Sequence, residues 1–368
     1  MASAPIYNFA AGPATMPPEV LQQAQAELLD WQRQGYSVWE MPFSGGEFQA
    51  IAERARQDLR QLLQVPDAFR ILFMQGGASA QFSLVPLNLL GDHPAPCADY
   101  IAGGHWSRKA IREARRYCRV NLAADNSGYG DPGRLPARDE WHLDPGAAYC
   151  HLTSNETAEG LQFAELPDTG AVPLVVDMTS DFLSRTLDFS RLDLAYAGAQ
   201  KNIGPAGLTL VLIRDSLIRE PLPATPSAFS YKVVNDSDGR FNTPPTYAIY
   251  LAGLVFRYWL QRGGMPAIEH LNRHKSEMLY RYIDGSEFYR CSAQLQSRSR
   301  MNICFRLDTP QLTAPFLAKA QAEGLLNLAG HPACGGIRAN LYNAMPTAGV
   351  EALIAFMQEF AREHADAS

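Results

Sequence analysis

Three short segments of the chain carry residue types that could do chemistry, and each segment follows an apolar run. Residues 76–79 (Gly-Gly-Ala-Ser) can direct several backbone N–H groups at one point before a helix, where the helix dipole favours an anion such as phosphate. Asp177 ends the run at residues 174–176, and an acid there either caps a helix or pairs with a buried cation. Lys201 lies between two amides in a stretch otherwise made of Gly, Ala and Ile, where burial would lower the pKa of its amine and make it nucleophilic.

Each segment by itself has an ordinary explanation, namely a glycine turn, a helix cap and a surface lysine. Together they match the needs of one cofactor, pyridoxal 5'-phosphate, which requires a phosphate anchor, a carboxylate that keeps the pyridine nitrogen protonated and an amine for a Schiff base. Metal binding is not predicted, because His270 and His274 alone share a helical spacing, and they stand among basic residues without a carboxylate or thiol ligand pattern.

The segments around these residues predict a mostly parallel sheet with helices on both faces. Short, uniformly apolar runs are typical of strands that are buried on both sides. Such runs occupy residues 70–75, 98–102, 148–153, 173–178, 194–198 and 208–214. Helical patterns alternate with them, beginning with one from Pro18 to Trp31 and one at residues 48–63. Ligands of such sheets bind at the carboxyl ends of the strands, where the three segments lie.

The pattern changes after residue 264 to a long helix at residues 267–283, a short strand and two further helices. This change predicts a smaller α/β domain at the C-terminal end of the chain. The predicted large domain comprises residues 16–265, and the predicted small domain comprises residues 266–368 together with residues 1–15.

The composition argues against two classes of partner. Hydrophobic residues make up 46% and charged residues 19% of the 368 residues, and the formal net charge is -6, which is typical of a soluble globular protein. The sequence has no stripe of basic residues, so a nucleic-acid partner is not predicted. The densest cluster of basic residues, Arg112, Arg115 and Arg116, is typical of a solvated helix face. The most apolar stretch, which starts at Tyr247, is far shorter than the roughly 20 residues that cross a membrane.

The cysteines and the N-terminal segment predict a cytoplasmic location. The first residues lack a basic region followed by an apolar one, so no secretory signal is expected. The cysteines form no CxxC pair, and each lies within or beside apolar sequence, which favours free thiols in a reducing compartment. They are Cys97, Cys118, Cys150, Cys291, Cys304 and Cys334.

Eight motifs along the chain carry a family resemblance. They are NFAAGPA (8–14), GGAS (76–79), SNETAEG (154–160), VDMTSDFLSR (176–185), YAGAQKNIGPAGLT (196–209), NTPPT (242–246), GGIRAN (335–340) and YNAMP (342–346). With them the sequence resembles the phosphoserine aminotransferases, which are class V, fold type I pyridoxal-phosphate enzymes, over essentially its whole length. The resemblance implies an α/β fold with a mostly parallel seven-stranded sheet in a large domain and a smaller C-terminal domain.

The resemblance also implies roles for individual residues around the cofactor. Lys201 forms the Schiff base, Asp177 pairs with the pyridine nitrogen, and Trp106 stacks on the ring. Thr157 and Gln200 contact the ring substituents. The residues expected to bind the cofactor are Ala78, Ser79, Trp106, Thr157, Asp177, Gln200, Lys201, Asn242 and Thr243.

Two further implications concern the partner subunit and the substrate. Asn242 and Thr243 are expected to reach the cofactor phosphate of a neighbouring subunit, so the implied active unit is a homodimer with shared active sites. Arg338 is expected to bind the substrate α-carboxylate through two hydrogen bonds. The implied substrates are small amino acids and 2-oxo acids.

The segment SVWEMPFSGGEF (37–48) departs from the family pattern. The family has a His-Arg pair there that grips the distal anion of the substrate, and this chain has Phe43 and Ser44. The family also has an arginine after the histidine of a later GH turn, where this chain keeps His331 but has Pro332. Each arginine lost removes a charge-assisted hydrogen bond of about 1.5 to 3 kcal/mol, so binding of the distal anion should weaken by about 3 to 6 kcal/mol.

This departure leads to a main hypothesis and three alternatives. The main hypothesis is an aminotransferase for a small amino acid or 2-oxo acid whose side chain is neutral or apolar, with Met41, Pro42 and Phe43 of the partner subunit lining the pocket. Ser44 and His331 are also expected to contact the substrate. The alternatives are an authentic phosphoserine:2-oxoglutarate aminotransferase with a rebuilt anion site, an elimination or replacement enzyme on the same scaffold, and a cofactor-binding protein without catalysis. A protein that only binds the cofactor has no need of Arg338, which argues against the last alternative.

Overall fold

The computed structural model describes residues 5–91, 95–128, 130 and 133–364, and the following statements concern these residues. The helices are α1 (Pro18–Ala26), α2 (Gly46–Leu63), α3 (Gly77–Leu89), α4 (His105–Ala114), α5 (Tyr231–Asp236), α6 (Thr246–Gln261), α7 (Gly264–Asp284), α8 (Thr313–Ala322) and α9 (Thr347–Glu363). The strands are β1 (Tyr7–Asn8), β2 (Phe69–Met74), β3 (Cys97–Ala102), β4 (Arg119–Asp125), β5 (Cys150–Thr153), β6 (Asn155–Glu156), β7 (Leu161–Gln162), β8 (Leu174–Asp177), β9 (Leu194–Gly198), β10 (Thr209–Arg214), β11 (Tyr289–Cys291), β12 (Asn302–Leu307), β13 (Leu325–Leu326) and β14 (Ile337–Asn340). Within this described part, no helix combines the length and the apolar character needed to cross a membrane.

A seven-stranded sheet with the order β2-β10-β9-β8-β5-β3-β4 forms the centre of the larger part of the molecule. Strand β10 runs antiparallel to both of its neighbours, and the other pairs are parallel. Asp177, the last residue of β8, lies opposite Thr153 of β5 and Tyr196 of β9. The predicted fold class, a mostly parallel seven-stranded sheet between helices, is confirmed.

The central strands are apolar on both faces because a helical layer covers each face. Val176 packs into a core with α2 and α6, whereas its neighbour Val175 packs into a core with α3 and α4. Leu194 and Ala195 of β9 divide between the two cores in the same way. Each buried aliphatic side chain contributes about 1.5 to 3 kcal/mol, so this sheet provides a stable frame for the residues at its edge.

A second, antiparallel sheet of β11, β12 and β14 lies in the C-terminal part of the chain. Its core includes Phe9 from the N-terminal segment, and β1 pairs with β13 in parallel. The N-terminal residues therefore pack with the C-terminal elements, as the predicted domain division requires. The boundaries of that division stay a prediction.

Two local predictions were wrong. The helix expected from Pro18 to Trp31 ends at Ala26, because Asp30 accepts the backbone N–H of Gly35 at 2.7 Å and closes a turn that competes with the helix. Strand β4 was not predicted. It is an edge strand that pairs only with β3, and its mixture of polar and apolar residues lacks the uniform run that marks the central strands.

Lys275 of α7 is fully buried and anchors the turn at residues 341–345. Its ammonium group donates hydrogen bonds of 2.8 to 3.5 Å to the carbonyl oxygens of Leu341, Tyr342, Asn343 and Met345. Burial lowers the pKa of Lys275 to about 7, because it disfavours the charged ammonium group. The surrounding carbonyl dipoles act in the opposite direction and favour the charged form. The same turn donates the N–H of Asn343 to Asn202, the residue that follows Lys201, at 3.0 Å.

We predict that Lys275→Met lowers the free energy of unfolding by about 3 kcal/mol or more, because several buried carbonyl groups lose their donor while the side-chain length is kept. Urea denaturation of the cofactor-loaded protein, followed by tryptophan fluorescence, measures this loss. Lys232→Met is the matched control, since Lys232 forms surface ion pairs with Glu220 and Asp236, and little change is expected there. Equal stability of the two variants would contradict the anchoring role.

Candidate active site

A cavity of about 270 Å³ lies at the carboxyl ends of strands β5, β8 and β9. Nine of the residues selected from the sequence line it, although they come from segments that are far apart in the chain. They are Ala78, Ser79, Trp106, Thr157, Asp177, Gln200, Lys201, His331 and Arg338. The structure thus brings the predicted anchor, acid, amine and carboxylate clamp into one space.

The phosphate anchor is the first turn of α3. Gly76 and Gly77 have φ angles of 96° and 67°, which favour glycine, and a Cβ atom at Gly76 would lie 2.5 Å from the Cβ of Ala80. The Gly77 N–H donates to Thr209 Oγ1 at 2.8 Å, which holds the turn against the end of β10. The N–H groups of Ala78 and the next residue lack intrahelical acceptors, as at every helix start, and suit a phosphate.

Asp177 is the buried acid of the cavity. Its Oδ1 accepts the backbone N–H of Thr179 at 2.9 Å, which fixes the carboxyl group at the end of β8. Burial raises the pKa of Asp177, while the bonds to Thr179 and the charge of Lys201 oppose the rise. A cationic nitrogen placed beside Asp177 would favour its ionised form, which is the requirement of a protonated pyridine ring.

Lys201 is the amine of the cavity. Its Nζ donates to Thr157 Oγ1 at 2.7 Å and lies 5.9 Å from the ring centroid of Trp106. Burial lowers the pKa of Lys201 to about 8, with Arg338 lowering it further and Asp177 opposing both. A substantial fraction of this amine is therefore neutral near pH 8, and a neutral amine can attack an aldehyde.

Trp106 is held by two acids that the sequence analysis missed. Glu156 accepts the backbone N–H groups of Trp106 and Ser107, both at 2.9 Å, and Glu159 accepts the N–H of His105 at 2.8 Å. These carboxyl groups satisfy the first turn of α4 and so orient the indole at its start. Both acids lie inside the motif SNETAEG (154–160), but their partners are about 50 residues away along the chain. No local sequence pattern marks such a contact.

Arg338 of β14 is buried and incompletely paired. Its Nη1 donates to the carbonyl oxygen of Thr157 at 3.0 Å, and its Nε has no hydrogen-bond partner in the part of the chain that the structure describes. A buried charged donor without an acceptor is costly, which indicates that a ligand supplies one. A substrate carboxylate fits this geometry, because guanidinium groups bind carboxylates through two parallel hydrogen bonds.

The cavity therefore fits pyridoxal phosphate on its own residues. A helix start suits the phosphate, a buried acid suits the ring nitrogen, and a neutral amine suits the aldehyde. The indole Nε1 of Trp106, also buried and unpaired among the described residues, lies at the same cavity.

His331 lines the cavity, and His105, which the sequence analysis did not select, lies beside it. Their ring centroids are 4.5 Å apart with an interplanar angle of 54°. Burial lowers the pKa of both histidines. One indication of this role was present in the sequence, which is that His105 immediately precedes Trp106, a residue expected to bind the cofactor.

Four selected residues do not line the cavity of their own chain. Phe43 borders a separate small cavity together with Arg240, and the carbonyl oxygen of Thr243 accepts a hydrogen bond from Gln75 at 3.1 Å. Ser44 and Asn242 lie in the same two loops. Their predicted contribution to a neighbouring subunit stays a prediction.

Comparisons with known proteins agree with this site. The family model described as Aminotransferase class-V matches residues 6–353. A phosphoserine aminotransferase of Laribacter hongkongensis is 54% identical over 360 residues, which is 98% of this chain and 99% of that protein. A phosphoserine aminotransferase of Pseudomonas aeruginosa is 52% identical over 97% of this chain and 98% of its own.

Solved structures give the same result. Phosphoserine aminotransferase from Bacillus circulans subsp. alkalophilus aligns with a TM-score of 0.94 at 42% identity and covers 98% of this chain and 99% of its own. Phosphoserine aminotransferase from Trichomonas vaginalis, solved with bound pyridoxal phosphate, aligns with a TM-score of 0.92 at 38% identity and covers 96% of this chain and all of its own.

We predict that the rate at which Lys201 of the apoprotein becomes attached to pyridoxal phosphate rises with pH with a midpoint at about pH 8, because only the neutral amine reacts. The absorbance of the Schiff base, followed after mixing across pH 6 to 10, measures this rate. Asp177→Asn should move the midpoint to lower pH, since it removes a charge that raises the pKa of Lys201. A midpoint near 10.5 in the unaltered protein would show an ordinary, solvated lysine.

Proposed function

Because the chain belongs to aminotransferase class V and, within it, to the phosphoserine aminotransferase family, we propose that it transfers an amino group between O-phosphoserine and 2-oxoglutarate. It is a pyridoxal-phosphate-dependent aminotransferase. The observation that carries the reaction type is the buried Nε of Arg338, unpaired among the described residues, in the same cavity as the amine of Lys201, whose pKa burial lowers to about 8. The identity of the substrates is supported by full-length similarity to enzymes of that name.

The residues that would hold the cofactor follow from the cavity. Ala78 and Ser79 would bind its phosphate through backbone N–H groups, Trp106 would stack on its ring, and Asp177 would pair with its ring nitrogen. Pyridoxal phosphate supplies an electron-withdrawing ring that accepts the electron pair left when a proton leaves the substrate Cα.

The residues of the chain bind and orient the amino acid and move its proton. Arg338 holds the α-carboxylate, so that the Cα–H bond points at the amine of Lys201. With the cofactor bound, the amine of Lys201 would take the proton from the substrate Cα and would deliver a proton to the cofactor carbon that carries the substrate nitrogen. Thr157 orients Nζ for both transfers, since its hydroxyl lies 2.7 Å away. A second 2-oxo acid reverses the sequence.

An amino acid with a small, neutral side chain is a second candidate substrate. It is supported by Phe43, Ser44 and Pro332, which stand where the family has the readers of the distal anion. This candidate was the main hypothesis from the sequence. Similarity to enzymes named phosphoserine aminotransferase along nearly the whole chain favours the first candidate over it.

We further propose a homodimer in which the loops that carry Phe43 and Thr243 complete the site of the partner. Two large apolar side chains in these loops support it, since Trp39 is 66% and Phe241 is 52% exposed in the single chain. We also propose a large domain of residues 16–265 with a small domain formed by the remainder, and a cytoplasmic location. Pairing of β1 with β13 supports the division, and six free cysteines support the location.

A half-reaction screen tests the proposed substrates. Single amino acids are added to the cofactor-loaded enzyme, and the loss of Schiff-base absorbance is followed. We expect phosphoserine and glutamate to react faster than serine and alanine. If a neutral amino acid reacts fastest and phosphoserine fails, the second candidate is correct, and ammonia released without a 2-oxo acid would indicate elimination instead.

We predict that Arg338→Gln raises the KM of every amino acid substrate about 100-fold, because each loses the same charge-assisted bonds, worth about 3 kcal/mol, to its α-carboxylate. Steady-state kinetics with phosphoserine and alanine measures the effect. Arg290→Gln is the control, since Arg290 is an exposed residue paired with Asp308. A loss confined to phosphoserine would show that Arg338 binds the distal group instead.

A further inference from the structure

A pair of histidines beside the cavity has unused hydrogen-bonding capacity. Nδ1 of His331 accepts the backbone N–H of Ala333 at 3.2 Å, so the neutral ring carries its proton on Nε2 and can donate it. Among the described residues, neither ring nitrogen of His105 has a hydrogen-bond partner. His105, the first residue of α4, and His331, in the turn before β14, thus lie side by side, and each has at least one ring nitrogen without a partner among the described residues.

The charged groups around the pair create a positive potential. Lys109 and Arg112, both on α4, lower the pKa of His105, and Arg338 and Lys109 lower the pKa of His331. The Nζ of Lys109 also lies 4.6 Å from the ring centroid of Trp106, the neighbour of His105 on α4. In this setting both imidazoles are neutral near pH 7, and an anion is the ligand that the potential favours.

The acids that face the pair do not cancel this potential. Glu159 accepts the backbone N–H of His105, and Glu156 accepts that of the next residue. Burial and the neighbouring Glu156 raise the pKa of Glu159 to about 8, and burial also raises the pKa of Glu156. Glu159 is thus largely uncharged near neutral pH, and burial also disfavours the charged form of Glu156, so less negative charge opposes the cations.

We propose that His105 joins His331, the reader that the family pattern already implies, in binding the distal anionic group of the substrate, which is the phosphate of phosphoserine or the γ-carboxylate of glutamate. The pair takes the place of the arginines that are missing at Ser44 and Pro332. This inference rests on the proposed function, because it needs a substrate with a distal anion.

The proposed anion site depends on pH. Binding of an anion favours imidazolium over imidazole, so the histidines take up protons from solvent as the substrate binds. The charged form is lost through the lowered pKa in the free enzyme and through the raised pKa in the complex, so the preference for an anionic substrate weakens as pH rises between these two pKa values. Glutamate is the clean probe, since its γ-carboxylate stays ionised over this interval, whereas phosphate itself titrates near pH 6.

Kinetics of His105→Asn and His331→Asn test the inference. Each should lower the ratio of kcat/KM for phosphoserine to that for serine about 10-fold, and the ratio for glutamate to alanine likewise, through loss of one charge-assisted hydrogen bond. His270→Asn is the control, since His270 is exposed on α7, far along the chain from the cavity residues. Full cofactor content in each variant excludes a folding defect as the cause.

The pH profile gives a readout that a purely structural role would not change. In the unaltered enzyme, the glutamate-to-alanine ratio should fall as pH rises from 6 to 8. His105→Arg, which carries a permanent charge, should keep the preference for glutamate and flatten its pH dependence.

The outcomes separate this inference from the proposed function. If the unaltered enzyme reacts with neither phosphoserine nor glutamate, the proposed function fails and the inference fails with it. If it reacts with both but the two asparagine variants keep the original ratios and the original pH profile, the inference alone is overturned.

Discussion

Burial of opposite charges in one cavity is the constraint on which the rest of the structure depends. Lys201, Asp177 and Arg338 line a single space with little access to solvent, and the Nε of Arg338 has no hydrogen-bond partner in the described chain. Such burial costs stability, which the apolar layers on both faces of the seven-stranded sheet must offset. Burial also lowers the pKa of the amine, which a Schiff base requires, but it raises the pKa of the acid, so Asp177 depends on a neighbouring cation to stay ionised.

The position of these charges relative to one another is set by buried polar contacts between the two sheets. Arg338 belongs to the small sheet, yet its guanidinium donates to the carbonyl of Thr157 beside the large one. The turn at residues 341–345, which Lys275 anchors, donates the N–H of Asn343 to Asn202, the neighbour of Lys201. A change at either contact would alter the distance between the carboxylate clamp and the amine, and proton transfer is sensitive to such distances.

Much of the fold and the cofactor site could be predicted because the signals are local. Uniformly apolar runs located the central strands, and polar residues at their ends located Asp177 and Lys201. Edge strand β4 lacks that run, so it was missed. His105 and Glu159 were missed for a different reason, since their roles arise from contacts between segments that are distant in the chain, and nothing in either segment marks its partner. The predicted role of Phe43 is in the site of a second subunit, so the contacts behind it lie between chains.

An anion site made of imidazoles differs physically from one made of arginines. An arginine is charged whether or not a ligand is present, so its desolvation in a closing cavity is always costly. His105 and His331 are neutral until the anion arrives, and beside Arg338 and Lys109 this avoids stacking further positive charges in the empty site. The free enzyme then has less repulsion between positive charges in that site. The consequence is that discrimination between anionic and neutral substrates becomes a property of pH, because the recognising charge is supplied by solvent protons.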